Sequence, residues 1–410
     1  MAKQITEKQV ELLVERLISR VDKANTKFLI NIGKSIDEIG KLTPSKAHEL
    51  VQMLKYGGKY EDIVKELNKY TDMNIQDIDK IFSEYAKKDQ MFYKQFYKYR
   101  NIPFIEYENN ELIKNQTQAL SNMVKNQMYN FTRDNVLGYT LKNPITNKET
   151  FYSIRETYNK LLDEALLNVG QGKETFDSAM SGILKDIGGS GLKTIQYESG
   201  RSMRLDSAIR MHLKGRLNEL HNENQKVYAT EFDYDGIEIS VHENPAPDHE
   251  EAQGRQFTKE EYDNLQNKGI ATTIDGIEID LHLTSLSFRP ISEMNCYHTI
   301  FPIVLGINKP EYTNKELQEI IDRNEKGFEL DGKHYTNYEG TQLQRNLERK
   351  IREQKDIQIL AKESKNTELI SESQKNITVL TRKYNELSNV SGLPKKLDRL
   401  KVSGYRRTKV

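Results

Sequence analysis

Tryptophan is absent from this 410-residue chain, and cysteine occurs once, at Cys296. A lone cysteine excludes an internal disulfide framework, which suits folding in a reducing cytoplasm. No stretch approaches the roughly 18 consecutive apolar residues that a membrane span needs. Met1 to Leu12 carries charges throughout and has no apolar core run, so neither a secretion signal nor a membrane anchor is expected there. An excess of charge of either sign is also missing. Lys+Arg and Asp+Glu both number 61, which removes any global pull toward nucleic acid or lipid.

What is present is a polar but foldable composition: 36% hydrophobic residues, 30% charged residues and 22 Tyr. Domains usually hold about 100–200 residues, so two or three folding units are expected, helix-rich and well solvated. The balanced charge is unevenly placed. Lys226 to Arg289 holds 5 basic and 14 acidic residues, a net of −9, whereas Thr381 to Val410 holds 9 basic and 2 acidic, a net of +7. An acidic module and a basic tail therefore face different partners.

Four regions emerge along the chain. Residues 1–110 read as successive helices. Thr6 and Gln9 fit a capping box, Val10, Leu13, Leu17 and Val21 recur at helical spacing, and Thr43-Pro44 opens a helix that Gly57-Gly58 closes. Between Phe82 and Tyr107 aromatics alternate with Lys87, Lys88, Lys94, Lys98 and Arg100. Such a stripe stacks bases or, more commonly, packs a helix against its neighbour. Residues 111–225 read as a second helical block with a loop at Asn143 to Asn147 and a hinge or helix break at Gly188 to Gly191. Residues 226–340 switch to a period of two. Asp235-Gly236, Asp275-Gly276 and Asp331-Gly332 each predict a hairpin turn, and DGIEISVH at Asp235 to His242 nearly repeats as DGIEIDLH at Asp275 to His282. Residues 341–410 read as a charged helix to about Asn389, followed by a flexible basic tail from Lys395. The fold class expected is predominantly helical α+β, with a small antiparallel hairpin module in the C-terminal half.

One constellation carries chemistry. His242, His249, Cys296 and His298 are residue types that bind zinc, and a strand-end histidine, a loop histidine and a Cys-x-His pair are able to converge. They serve equally as hydrogen-bonding anchors, the commoner role, so no cofactor is expected and zinc is the one these residues would accommodate. A thiol hydrolase would use Cys296 with a histidine and Asn295, but the apolar run Thr299 to Val304 implies burial, which leaves a thiol inert. In the tail, Lys395, Lys396, Arg399, Lys401, Arg406, Arg407 and Lys409 offer nonspecific contact to DNA phosphates, or a dock for an acidic partner.

Four ordered segments carry a resemblance. GLKTIQYESGRSMRLDSAIRMHLKGRLNEL runs from Gly191 to Leu220, EISVHENPAPDHEEAQGRQF from Glu238 to Phe257, NCYHTIFPIVLGI from Asn295 to Ile307, and YTNYEGTQLQRNLERKIREQKD from Tyr335 to Asp356. Together they resemble the phage minor capsid protein 2 family, similar in role to Mu F-like head proteins of tailed bacteriophages. The matching signature positions are Tyr197, Ser199, Gly200, Arg201, Arg204, Asp206 and Arg210, with Gln253, Gly254 and Asn295 beside the His/Cys set. The resemblance implies a low-copy structural head component and no enzyme. Its implied place is the portal vertex or the inner capsid face after assembly in the host cytoplasm. The implied partners are the portal and major capsid proteins and, in addition, packaged DNA, with no membrane. The alternative is a metal- or thiol-dependent effector released with the genome.

Overall fold

A computed structural model describes residues 7–407 except 57–58, 134, 144–145, 147, 196–201, 231–233, 283–288, 292–295 and 297. The expected capping residue Thr6 and the glycine pair 57–58 lie outside the described residues.

Helix α1 (Glu7–Ile39) places Val14, Leu17, Val21, Phe28, Ile32, Ile36 and Ile39 on one face at intervals of three, four and seven, and all are buried. Pro44 then starts α2 (Pro44–Tyr56), where its missing N–H has no intrahelical partner to lose. Helix α3 (Lys59–Arg100) runs 42 residues, about 60 Å at 1.5 Å per residue. The described aromatic residues of its stripe pack inward. Phe82, Tyr85, Tyr93 and Tyr97 are buried, Tyr93 stacks on Tyr228 at 4.7 Å between ring centroids, and Phe104 meets Tyr97 edge-on at 4.9 Å. Asn110 caps α4 (Glu111–Phe131) by accepting from Ile113 N at 3.1 Å.

The second region is not the all-helical block expected from the sequence. Strands β1 (Leu137–Lys142), β2 (Glu149–Ser153), β3 (Lys193–Ile195) and β4 (Ser202–Arg204) form an antiparallel sheet in the order β2-β1-β3-β4. The expected loop at 143–147 falls between β1 and β2, and residues 144, 145 and 147 of it lie outside the described residues. Strand β1 is buried at five successive positions, so it shows no alternation, and β3 and β4 are three residues each; short buried strands look like helix segments. Helices α5 (Ile154–Asn168), opened by a Ser153/Glu156 capping box, α6 (Lys173–Ser190) and α7 (Leu205–Thr230) complete this region.

The third region contains the acidic module. Strand β5 (Gly236–Ile239) lies between β6 (Gln256–Thr258) and β9 (Ile300–Ile303), and α8 (Lys259–Lys268) leads into a hairpin of β7 (Ile270–Thr272) and β8 (Glu278–Asp280). Asp275-Gly276 lies in that hairpin's turn. Asp331-Gly332, both at positive φ (52° and 73°), turns β10 (Phe328–Leu330) into β11 (Lys333–Tyr335) after α9 (Asn314–Lys326). Asp235-Gly236, in contrast, is not a turn. Gly236 opens β5 and pairs with Thr258 on one side and Ile303 on the other, and a Cβ there would lie 2.5 Å from Leu305 Cδ2. The glycine permits close packing, so the two near-identical octapeptides fold differently because their long-range partners differ.

Helices α10 (Asn337–Glu363) and α11 (Thr367–Ser391) form an antiparallel pair, and the end of α10 runs back into the first two regions. Six successive residues, Asp356 to Ala361, are buried there. One apolar cluster consequently joins Val14 of α1 to Ile357, Leu360 and Leu369, while the acidic module has its own core around Ile237, Phe257, Leu265, Ile279 and Ile300. The tail also departs from expectation through Arg407. Ser403 O accepts from Thr26 Oγ1 at 2.7 Å, Leu400 is buried beside Ile351 and Tyr384, and Lys396 N donates to Tyr384 Oη at 2.8 Å, so the segment is docked and not flexible.

Adjacent glycines at the end of α6 should respond to alanine in opposite ways. A Cβ at Gly188 would sit 2.7 Å from Ile357 backbone atoms, whereas at Gly189 it meets nothing within 4 Å. Gly188→Ala should cost about 1–3 kcal/mol from overpacking, and Gly189→Ala should gain up to about 1 kcal/mol from helix propensity, both read from urea midpoints.

Candidate metal centre

Three segments of the acidic module meet at one buried point. His242 follows β5, His249 sits in the turns of residues 247–254, and Cys296 and His298 precede β9. Cys296 Sγ lies 3.3 Å from His249 Nδ1 and 3.4 Å from His298 Nδ1, with all three side chains buried. The three potential ligand atoms lie within 4.8 Å of one another. The half-buried His242 ring meets the His298 ring edge-to-face at 4.4 Å.

The surroundings fix the orientation of these groups. His249 Nε2 is 2.7 Å from Arg289 O, a hydrogen bond that places the ring proton on Nε2 and turns the Nδ1 lone pair toward the thiol. Arg289 is itself held by both Asp248 oxygens, at 3.0 and 3.1 Å. Gln253 Oε1 accepts from His242 N at 2.8 Å, and Gly254 N donates to Ile239 O at 2.8 Å. Asn218 of α7 donates to His298 O at 3.3 Å and Cys296 O at 3.5 Å, which ties the ligand segment to the helical body. Burial, reinforced by His242 and His249, pushes the His298 pKa down to about 2, and burial lowers His249 as well. Both rings are therefore neutral near pH 7, the form that coordinates metal. Cys296 is 4% exposed, closed to a substrate. Asn295 lies outside the described residues.

Asp248, Arg289 and Asn218 carry no signal in the sequence. Their contacts run through backbone carbonyls and an ion pair 41 positions apart, neither of which leaves a local pattern.

The signature around Arg204 builds a second buried site. Tyr197, Ser199, Gly200 and Arg201 lie outside the described residues. Arg204 reaches Asp206 at 3.4 Å and Asp356 of α10 at 3.6 Å, Arg352 also pairs with Asp206, and Arg210 pairs with Glu11 and, at 2.7 Å, with Glu15. Burial works to raise the Asp206 pKa, but Arg352 and Arg204 hold it below the usual carboxylate range. Burial raises Asp356 to about 6 and, with help from the Asp206 charge, Asp22 to about 7. These are mutually supporting ion pairs inside a helical junction, with no nucleophile among them.

In the tail, Arg399 lies 3.3 Å from Glu11 and 3.8 Å from Glu348. Lys395, Lys396, Lys401, Arg406 and Arg407 are exposed, and Lys409 lies outside the described residues.

The raised carboxylates set a pH dependence. Because Asp22 takes up its proton at higher pH folded than unfolded, its contribution to stability is complete below about pH 4 and is lost as pH rises through about 7. Asp22→Asn should therefore gain stability relative to the parent at pH 8 and show a smaller gain at pH 5. Urea midpoints of both proteins at the two pH values check this, and the opposing contribution of the buried histidines cancels in the comparison.

Among known proteins, no curated protein and no solved structure matches the chain. A family model described as phage minor capsid protein 2 matches residues 5–389. That match takes in α10 and the His/Cys cluster and reaches into all four regions, and on it the chain belongs to the phage minor capsid protein 2 family, a structural component of the phage capsid.

Proposed function

We propose that the chain is a low-copy component of the tailed-phage head, seated at the portal vertex or on the inner capsid face, where it aids head assembly and touches packaged DNA. The observation that carries this reading is the family match over residues 5–389, and it is supported by a build suited to holding shape. The largest apolar cluster joins α1 to α10 across more than 300 positions, and the described signature charges Arg204, Asp206 and Arg210 are engaged in internal ion pairs. No reaction is proposed, since Cys296 is buried and Arg204, Asp206 and Asp356 are engaged in ion pairs with one another. Among the described helices none is long and apolar enough to cross a membrane.

Contacts to the portal and major capsid proteins would fall on the helical body. Tyr56 and Met53 of α2 are 82% and 62% exposed, and Leu167 of α5 is 73% exposed, so neighbouring elements present large apolar side chains to a partner. For DNA, the exposed Lys395, Lys396, Arg406 and Arg407 supply cations. Arg399 is engaged with Glu11 and Glu348 and is better placed to anchor the tail than to bind phosphate.

Mass spectrometry of purified DNA-filled heads should find the chain at a small fraction of the major shell protein, and a reconstruction of the portal vertex should place it there. Absence from filled heads would end the reading. Replacing Lys395, Lys396, Arg406 and Arg407 with alanine should lower the salt slope of DNA binding by about 1 for each phosphate no longer neutralised. An unchanged slope removes the role in DNA binding.

A further inference from the structure

We propose that His249, Cys296 and His298 bind one zinc ion, with His242 as the fourth ligand, and that this ion clamps together the segments following β5 and preceding β9. Such a clamp does not depend on where in the particle the chain resides.

The spacing of the donor atoms admits the ion. In a tetrahedral site with Zn–S near 2.3 Å and Zn–N near 2.0–2.1 Å, sulfur and nitrogen ligands sit roughly 3.6 Å apart. The two Cys296 Sγ to histidine Nδ1 separations are 3.3 and 3.4 Å, so each needs to open by only a few tenths of an ångström to reach that spacing.

The groups around the ligands are those of a metal site as well. A histidine that ligates through one ring nitrogen generally donates from the other to a carbonyl or carboxylate. His249 does this to Arg289 O at 2.7 Å, and Asp248 holds Arg289 in turn. His242 stands beside this set, its ring 4.4 Å from that of His298, and the His249 and His298 rings lie 5.5 Å apart.

Chemistry selects the ion. Two or three imidazoles with one thiolate suit zinc and are poor partners for magnesium or calcium, which prefer oxygen. On binding, the Cys296 thiol releases its proton to water and sulfur takes up the metal bond. Four protein ligands close the coordination sphere, which marks a structural ion, whereas three would leave a position for water and catalysis. The position of His242, in ring contact with His298, favours closure.

The experiment uses the full-length chain without a histidine tag, dialysed with zinc and then freed of loose metal. Elemental analysis should give about one zinc per chain, falling toward zero in Cys296→Ser and His249→Ala. Cobalt(II) in place of zinc should give the intense visible bands of tetrahedral coordination and a near-ultraviolet sulfur-to-cobalt band. That band reports thiolate ligation in the parent protein even where a variant fails to fold. Competition with a chromophoric chelator should show His242→Ala weakening the metal at least about tenfold. Substoichiometric zinc in the parent, or a cobalt spectrum without the sulfur band, overturns the site. Unchanged affinity in His242→Ala overturns the closed, structural form.

Discussion

Helix α10 brings Asp356 into the interior of the helical body, where a carboxylate without partners would be costly. Arg204 from the end of β4 answers it, Asp206 from the first turn of α7 answers Arg204, and Arg352, one helical turn before Asp356, answers Asp206. Because the charges come from separate elements, removing one leaves the others buried and uncompensated. The apolar packing around them is less particular. Ile357, Leu360 and Ala361 need only a surface of the right shape, whereas the ion pairs demand one register of α10 against α7. The same junction holds Asp22 of α1 close enough for its proton affinity to respond, so three regions of the chain are coupled through one electrostatic knot.

The acidic module depends on a different constraint. Its sheets have only two or three strands, and its core is small, built from Ile237, Phe257, Leu265, Ile279, Ile300 and a few neighbours. Loops carry much of it, and loops need anchors. Asn218 supplies one from α7 to the backbone of the Cys296–His298 segment, the Asp248–Arg289 pair supplies another, and the cluster of His249, Cys296 and His298 lies between them.

Local patterns made part of this legible. The buried face of α1 follows directly from its apolar spacing, and two of the three Asp-Gly pairs turn hairpins, because helix periodicity and two-residue turns are encoded within a few positions. The His/Cys cluster was legible as residue types, and it becomes a site only through the pairing of β5 with β9, which brings position 239 beside position 300. What escaped was long-range. The β1–β4 sheet draws a buried five-residue run together with two three-residue strands more than fifty positions away. Asp235-Gly236 lost its turn to partners at 258 and 303. The basic tail looked free because its partners, Glu11, Thr26 and Glu348, are elsewhere in the chain.

Those tail contacts bear on how the molecule is made. Arg399 meets Glu11 across 388 positions, and Leu360 and Ile357 complete a core that Val14 and Leu17 begin. A ribosome adding about 5–20 residues per second takes on the order of 15–60 s to travel from the end of α1 to α10. Throughout that interval the apolar face of α1 lacks its final cover. Nascent chains crowded on one messenger would present matching sticky helices to each other, so the demand for chaperones falls during translation, before any particle exists.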